Sequence, residues 1–273
     1  MRNILPVIFL AIVISCAPKR AFYNPKQEGW ESNTPPPNSE LVKTVFLLGD
    51  AGKPSVEPLE PTFQILDQQL KAEDKAGKEW SLIFLGDNIY PAGLPKKEDK
   101  DRALGEQALN VQLEVARNYK GKTYFIPGNH DWNHYKKGGL KAIKRQEKYV
   151  ENYFSELENA EEKVKMLPND GCGDPEVVKI NKDLVFVFLD TQWWLHNWDE
   201  EKKMNKGCEN KSRADFLTTV EEVFTEHKND QIIVLMHHPM KSNGLHGGNF
   251  TLKHHLFPLH ELGIWLPLPV IGS

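Results

Sequence analysis

Three times along this chain an apolar run of strand length ends at a glycine followed by a short polar segment, and a fourth run ends directly in a histidine. The segments are Gly49-Asp50-Ala51-Gly52, Gly86-Asp87-Asn88-Ile89-Tyr90, Gly128-Asn129-His130-Asp131 and Val234-Leu235-Met236-His237. Short continuous apolar runs bounded by turn residues read as strands buried on both faces. The spacing predicts strands at Thr44–Leu48, Ser81–Leu85, Thr123–Ile126, Val177–Ile180, Leu184–Leu189 and Ile232–Met236. Helical patterns fill the intervals near 59–77, 103–118, 137–158 and 212–228. Strands alternating with helices give an α/β domain, and such sheets carry their ligand sites at the strand ends. No internal repeat is present.

At a strand end a carboxylate faces a cleft instead of the core, and a glycine lets backbone approach closely. Asp50 and Asp87 occupy that position twice. One Gly-Asp pair is often only a turn, but two of them with Gly-Asn-His-Asp after a third run converge on one chemistry. Asn129 offers a neutral amide oxygen, a modest ligand that suits a site already rich in carboxylate. His130 and Asp131 follow directly, and a carboxylate beside an imidazole fixes its tautomer and raises its basicity. His237 closes its strand, and of the adjacent pair His237 and His238 only one side chain can enter the same site; His238 is read as a structural neighbour.

The full set resembles the calcineurin-like metallophosphoesterase superfamily over about residues 43–250. Gly49-Asp50-Ala51-Gly52 and Gly86-Asp87-Asn88-Ile89-Tyr90 look most like the corresponding segments of purple acid phosphatases. The resemblance implies a four-layer α/β/β/α sandwich and two metal ions, iron with zinc, manganese or a second iron. It places Asp50 and Tyr90 on the first ion, Asp87 bridging, and Asn129 and His237 on the second. A phenolate from Tyr90 is a hard anionic donor that suits ferric iron. The implied reaction is hydrolysis of a small phosphate ester by a metal-bridging hydroxide, the metals lying about 3.5–4 Å apart. By the same resemblance His130 contacts the substrate phosphate, with Asp131 beside it, and His246 is a leaving-group acid.

The chain departs from the family pattern at its last segment. No Gly-His dipeptide occurs in the 273 residues, so Gly-His-x-His is absent and each metal is short of one imidazole. His254, His255 and His260 remain as substitutes, although neighbours on a helix point about 100° apart. The apolar ending Ile264–Ser273 reads as a chain cut before its next strand, so the sandwich is expected to be incomplete at its C-terminus. Three readings stay open: a phosphomonoesterase, a phosphodiesterase or nucleotidase, and a catalytically inert module.

The rest of the chain bounds these readings. A formal charge of −4 argues against a nucleic-acid binder held by phosphate contacts. Met1-Arg2-Asn3 and the apolar residues 4–14 have the form of a signal peptide, too short to span a bilayer. Val13-Ile14-Ser15-Cys16 resembles a bacterial lipobox, which makes Cys16 the lipid-bearing first mature residue and the membrane a partner. Ala17 then points to the outer membrane of a bacterial envelope. Residues 16–40 form a Pro-rich tether and 41–273 the domain. Cys172 and Cys208 are either two thiols or a loop staple, and an oxidising compartment favours the staple. The basic stretch Lys136, Lys137, Lys141, Lys144 and Arg145 could face a phosphate, but a solvated helix face is the favoured reading.

Overall fold

Each strand of the first sheet is separated from the next by a segment that contains a helix, which permits the strands to run parallel. In the computed structural model, which describes residues 40–41, 43–155, 163–198, 203–242, 251–257, 259 and 263–267, that segment of chain reads β1 (Lys43–Leu48), α1 (Pro61–Lys75), β2 (Glu79–Phe84), α2 (Arg102–Arg117), β3 (Lys122–Phe125), α3 (Gly139–Asn152) and β4 (Val164–Met166). The sheet order is β1-β2-β3-β4, all parallel, with Ser81 opposite Lys122 and Thr123 opposite Val164. A second sheet holds β5 (Glu176–Lys179), β6 (Leu184–Phe188) and β7 (Gln231–Leu235) in that order. β5 and β6 are antiparallel, while β6 and β7 are parallel and joined through α4 (Thr191–Leu195) and α5 (Arg213–Glu226).

Alternation along the strands builds the layers. Ile83 of β2 and Tyr124 of β3 face Phe186, Phe188 and Leu235 of the second sheet in one apolar layer. The Tyr124 ring lies 5.1 Å from that of Phe188. The neighbouring positions Leu82, Phe84 and Phe125 face the other way and join Phe63 and Leu70 of α1 with Leu109 and Leu113 of α2. In β6, Val185 and Val187 turn from the sheet interface to a core shared with Trp193 and Phe216. Helices, sheet, sheet and helix follow in that order, which is the layering that the family resemblance implies. Burying an apolar side chain of this size contributes roughly 1.5–3 kcal/mol, and that burial is concentrated in β2, β3 and β6, while β1, β5 and β7 are largely half-buried and Leu47 of β1 is exposed.

Local signals account for most element limits. Pro61 opens α1 at its first turn, where a missing N–H costs nothing. The Ser212 hydroxyl accepts from the Asp215 N–H at 3.1 Å and starts α5. Asp190 caps α4 by accepting from the Trp193 N–H at 2.9 Å, and its other oxygen accepts from the Trp132 indole at 2.7 Å. α3 ends at Asn152, short of the expected 158, and α4 and β4 carry no sequence signal because five and three residues are too few to show a period. Cys172 and Cys208 are bonded to each other, closing a separation of 36 residues, which stabilises the fold by about 3–4 kcal/mol. The Asp174 carboxylate adds to that staple by accepting from Glu209 N and Asn210 N.

Leu41–Pro239 form one compact unit, and Met1–Glu40 with Met240–Ser273 a second. In the second, α6 (Leu252–Leu256) is followed by Trp265, whose ring lies 5.6 Å from Phe257. Among the described residues no helix is long and apolar enough to cross a membrane. Residues 1–15, read as a signal peptide, Cys16 and most of the expected tether lie outside the described residues.

A half-buried carboxyl on α3 adds a pH dependence to the domain's stability. Burial pushes Glu147 of α3 up to about 7, against the opposing hydrogen bond that it accepts from Asp170 N. A carboxyl whose pKa is raised by folding adds stability that is full below its unfolded value and lost as pH rises through about 7. Melting temperature should therefore fall between pH 5 and pH 8 by several degrees more in the wild type than in Glu147→Gln, measured by calorimetry. Parallel curves for the two proteins would contradict this assignment.

Candidate metal centre

The site is made by backbone contact before any side chain acts. Asp50 follows β1 and Asp87 follows β2, and both sit in the left-handed region, at φ 57° and 55°. Aspartate tolerates that region better than most residues, at a cost of about 1 kcal/mol. Between them Gly86, at φ 91°, accepts at its carbonyl from the Asp50 N–H at 3.1 Å. A Cβ on Gly86 would lie 2.6 Å from His237 Nδ1, and one on Gly128 would lie 2.3 Å from both the amide nitrogen and Oδ1 of Asp87. Both glycines are therefore required by close approach, and the ends of β2, β3 and β7 meet at them.

Asp87 is the centre of the cluster, 3% exposed. Its Oδ1 accepts from the His130 backbone N–H at 2.9 Å, and its Oδ2 from the Tyr90 hydroxyl at 2.9 Å. The same hydroxyl lies 2.8 Å from Asp50 Oδ1, so the phenol bridges two carboxylates. Burial, and then these two carboxylates, push the Tyr90 phenol upward and keep its proton in place in this arrangement. His237 is oriented by Nδ1, which donates to the Leu85 carbonyl at 2.7 Å. That leaves Nε2 as a lone pair in the neutral ring, facing Asn129 Oδ1 at 3.2 Å and Asp87 Oδ1 at 3.5 Å. Three electron-pair donors aimed at one point repel unless a cation lies among them. Asp50, Asp87 and His237 all present ligand atoms within 4.8 Å of one another. Oxygen and imidazole donors of this kind fit a hard or intermediate divalent cation.

Asp131 does something other than expected. Its carboxylate is fully buried and accepts from Gly128 N at 2.8 Å, Asn88 N at 3.0 Å, Asn88 Nδ2 at 3.1 Å and Gln146 Nε2 at 3.1 Å. Burial pushes it up to about 6, and these hydrogen bonds hold it down. It ties the Gly128 turn to Asn88 and α3 and does not reach the His130 ring. The Pro91 carbonyl takes the place expected for it, 2.6 Å from His130 Nδ1. His130 Nε2 then lies 3.9 Å from Asp87 Oδ2.

The ring of His130 packs against two neighbours. Tyr90 lies 4.3 Å away, and His134 stacks on it at 4.4 Å with planes 9° apart. His134 was not singled out from the sequence. It stands in a turn where Asn133, His134 and Tyr135 are successively left-handed, at φ 59°, 51° and 64°. Only Asn133 among them is a residue that signals such a turn, so a non-glycine run of this kind is not legible in advance. The turn is held by His134 N donating to Asn129 O at 2.9 Å and Asn133 Nδ2 to Lys137 O at 3.0 Å. The charge of Asp87 reaches Tyr135 as well, adding to burial in raising that phenol.

The remaining candidates divide by position. His238 turns away to Thr191, with Nδ1 and Oγ1 2.8 Å apart, as the choice of His237 requires. His246 and His260 lie outside the described residues. His254 and His255 lie on α6 in the second unit, where His254 Nδ1 is 2.7 Å from Thr251 Oγ1.

Comparison with protein families gives one match: the model for calcineurin-like phosphoesterase covers residues 43–265. Among curated proteins, no significant match was found.

The close approach at Gly128 supplies a direct check on the site. Gly128→Ala should weaken metal binding at least tenfold, read by metal titration of the folded protein, because the new methyl meets both the backbone nitrogen and the carboxylate of Asp87 and forces that turn to shift. Unchanged affinity would mean that the Asp87 geometry is not what holds the cation.

Proposed function

The chain belongs to the calcineurin-like phosphoesterase family, metal-dependent hydrolases of phosphate esters, and from that premise we propose that it is a phosphomonoesterase of the purple acid phosphatase kind. The observation that carries this reading is the convergence of His237 Nε2, Asn129 Oδ1 and Asp87 Oδ1, beside a phenol shared by Asp50 and Asp87. Asp50 and Tyr90 would hold one ion, Asn129 and His237 the other, and Asp87 would touch both. Tyr90, set between two carboxylates, favours iron at its own position, with zinc, manganese or iron at the second. Bound metal supplies a water of lowered pKa and neutralises charge on the phosphoryl group.

The chain's own side chains do the rest. His130 is held by the Pro91 carbonyl and packed by Tyr90, so its Nε2 is presented at the edge of Asp87. There it would donate to a phosphoryl oxygen as negative charge builds. His134 stacks flat on it and acts as a positioning residue. His246 is proposed to protonate the leaving group. Asp131 acts through the backbone, fixing the turn that carries Asn129 and His130. We propose also that residues 1–15 are a signal peptide and that Cys16 carries lipid, anchoring the enzyme to a bacterial envelope, through the outer membrane.

One sequence observation favours a second reading. With no Gly-His-x-His segment in the chain, the ligand set is short of two imidazoles. A site so depleted would bind one metal weakly and hydrolyse nothing. Metal analysis of the purified chain separates the readings: two ions per chain, one of them iron, support the dinuclear enzyme, and one loosely held ion or none supports the inert module.

With p-nitrophenyl phosphate as substrate, Asp87→Asn should lower kcat/KM by at least 100-fold, about 2.7 kcal/mol of transition-state stabilisation. His130→Ala should cost roughly 10²–10³ in kcat. Activity in either variant equal to wild type would sink the assignment. His134→Ala should lower kcat several-fold with little change in KM, and His134→Phe should restore most of it, since a flat ring is what positions His130. A loss in KM alone would instead make His134 a binding contact. Comparison with bis(p-nitrophenyl) phosphate decides between monoesterase and diesterase.

A further inference from the structure

A cleft of about 460 Å³ opens on the helical side of the first sheet, between α2 and α3, away from the strand ends that carry the metal ligands. Lys97, Arg102, Arg145 and Lys148 line it, with Tyr149 and Tyr153 as an aromatic wall, and no Asp or Glu belongs to its lining. The sequence reading assigned Arg145 to a solvated helix face, yet its side chain is partly buried and turned inward.

A purely structural use of the two arginines exists and does not exhaust them. Arg145 Nε donates to the Leu94 carbonyl at 2.9 Å, and Arg102 Nη1 to the Pro95 carbonyl at 2.7 Å, which staples the loop after Tyr90. Arg102 also pairs with Glu106 at 2.7 Å and lies over the Tyr149 ring at 5.6 Å. That pairing offsets the Arg102 charge. Among the described residues no carboxylate pairs with Arg145, Lys97 or Lys148. An arginine carries five N–H donors, and the loop staple takes one from Arg145. Its guanidinium is held below the usual range by burial and then by the Arg102 charge, the mark of two cations kept close. Three unpaired cations converging on one concavity repel each other, and a bound anion relieves that repulsion. The planar fork of arginine matches phosphate geometry, with lysines adding point charge.

We propose that this cleft is a second ligand site, separate from the metal centre, which binds the phosphoryl group of a phosphate-bearing small molecule. Arg145 supplies the fork, Lys97 and Lys148 the flanking charge, and Tyr149 with Tyr153 a surface for whatever carries the phosphate. The site does not depend on hydrolysis at the metal centre.

The test is calorimetric titration of the full chain with inorganic phosphate and with phenylphosphonate, which cannot be hydrolysed as an ester. Phenanthroline, a neutral chelator, keeps metal out of the first site without adding a competing anion. Saturable binding of at least one probe is expected, weakened tenfold or more in Arg145→Gln. Since Arg145 also staples a loop, Lys97→Gln/Lys148→Gln serves as the second variant. Both side chains are exposed and bear on no fold contact, and this variant should bind several-fold more weakly with a shallower salt dependence. Tighter phenylphosphonate would identify an organic phosphate as the ligand; tighter inorganic phosphate would identify the free anion. Absence of saturable binding at millimolar concentration, or affinity unchanged in both variants, would overturn the proposal. Because metal is absent throughout, failure here is distinct from failure of the hydrolase reading.

Discussion

The packing of Gly128 against Asp87 sets the rest of the site. No Cβ fits between them, so the end of β3 can come down onto the turn after β2. That contact puts the His130 N–H on one oxygen of Asp87 and leaves the other to Tyr90. It also brings Asn129 to His237, which arrives from the other sheet. A buried carboxylate so placed needs compensation for its lost hydration, which these hydrogen bonds begin to supply.

The supports around that contact are buried polar groups whose partners lie far away in sequence. Asp131 gathers Gly128, Asn88 and Gln146, and Asp190 gathers Trp132 and the first turn of α4. Burial raises the pKa of both carboxyls, to about 6 and about 7, against the hydrogen bonds that each accepts. Removing a partner from such a network costs more than the bond itself contributes, because a buried polar atom is left unsatisfied. The loop after Tyr90 completes the frame. It is clipped by Arg102 and Arg145, and its Pro91 carbonyl holds the His130 ring. His130 and the basic cleft therefore share one short stretch of chain as support.

The layers of the fold were legible because each strand is a continuous apolar run and each helix a periodic one. Predicted strand ends fell within two residues of those observed, close enough to place Asp50, Asp87, Asn129 and His237 at strand ends. The short elements β4 and α4 were not legible, since three and five residues carry no period. Nor was the stacking of His134 on His130, which depends on a left-handed turn formed by residues that rarely adopt it. Asp131 was misassigned for a related reason. Adjacency in sequence suggested a partner for His130, but successive side chains in a turn diverge, and the carboxylate points into the core while the imidazole points out.

By itself the sequence determined that this chain forms an α/β domain with carboxylate, amide and imidazole donors at successive strand ends. Those are matters of local pattern, set by hydrophobic period and by glycines that mark where the backbone must turn or approach. The tertiary structure alone decided which donors meet, which carboxylate is a prop, and which cations remain unpaired. The physical reason is that coordination and charge compensation depend on distances of a few ångströms between residues 40 to 150 positions apart, such as His237 with Leu85 and Tyr90 with Asp50. Only the packing of the two sheets fixes those distances.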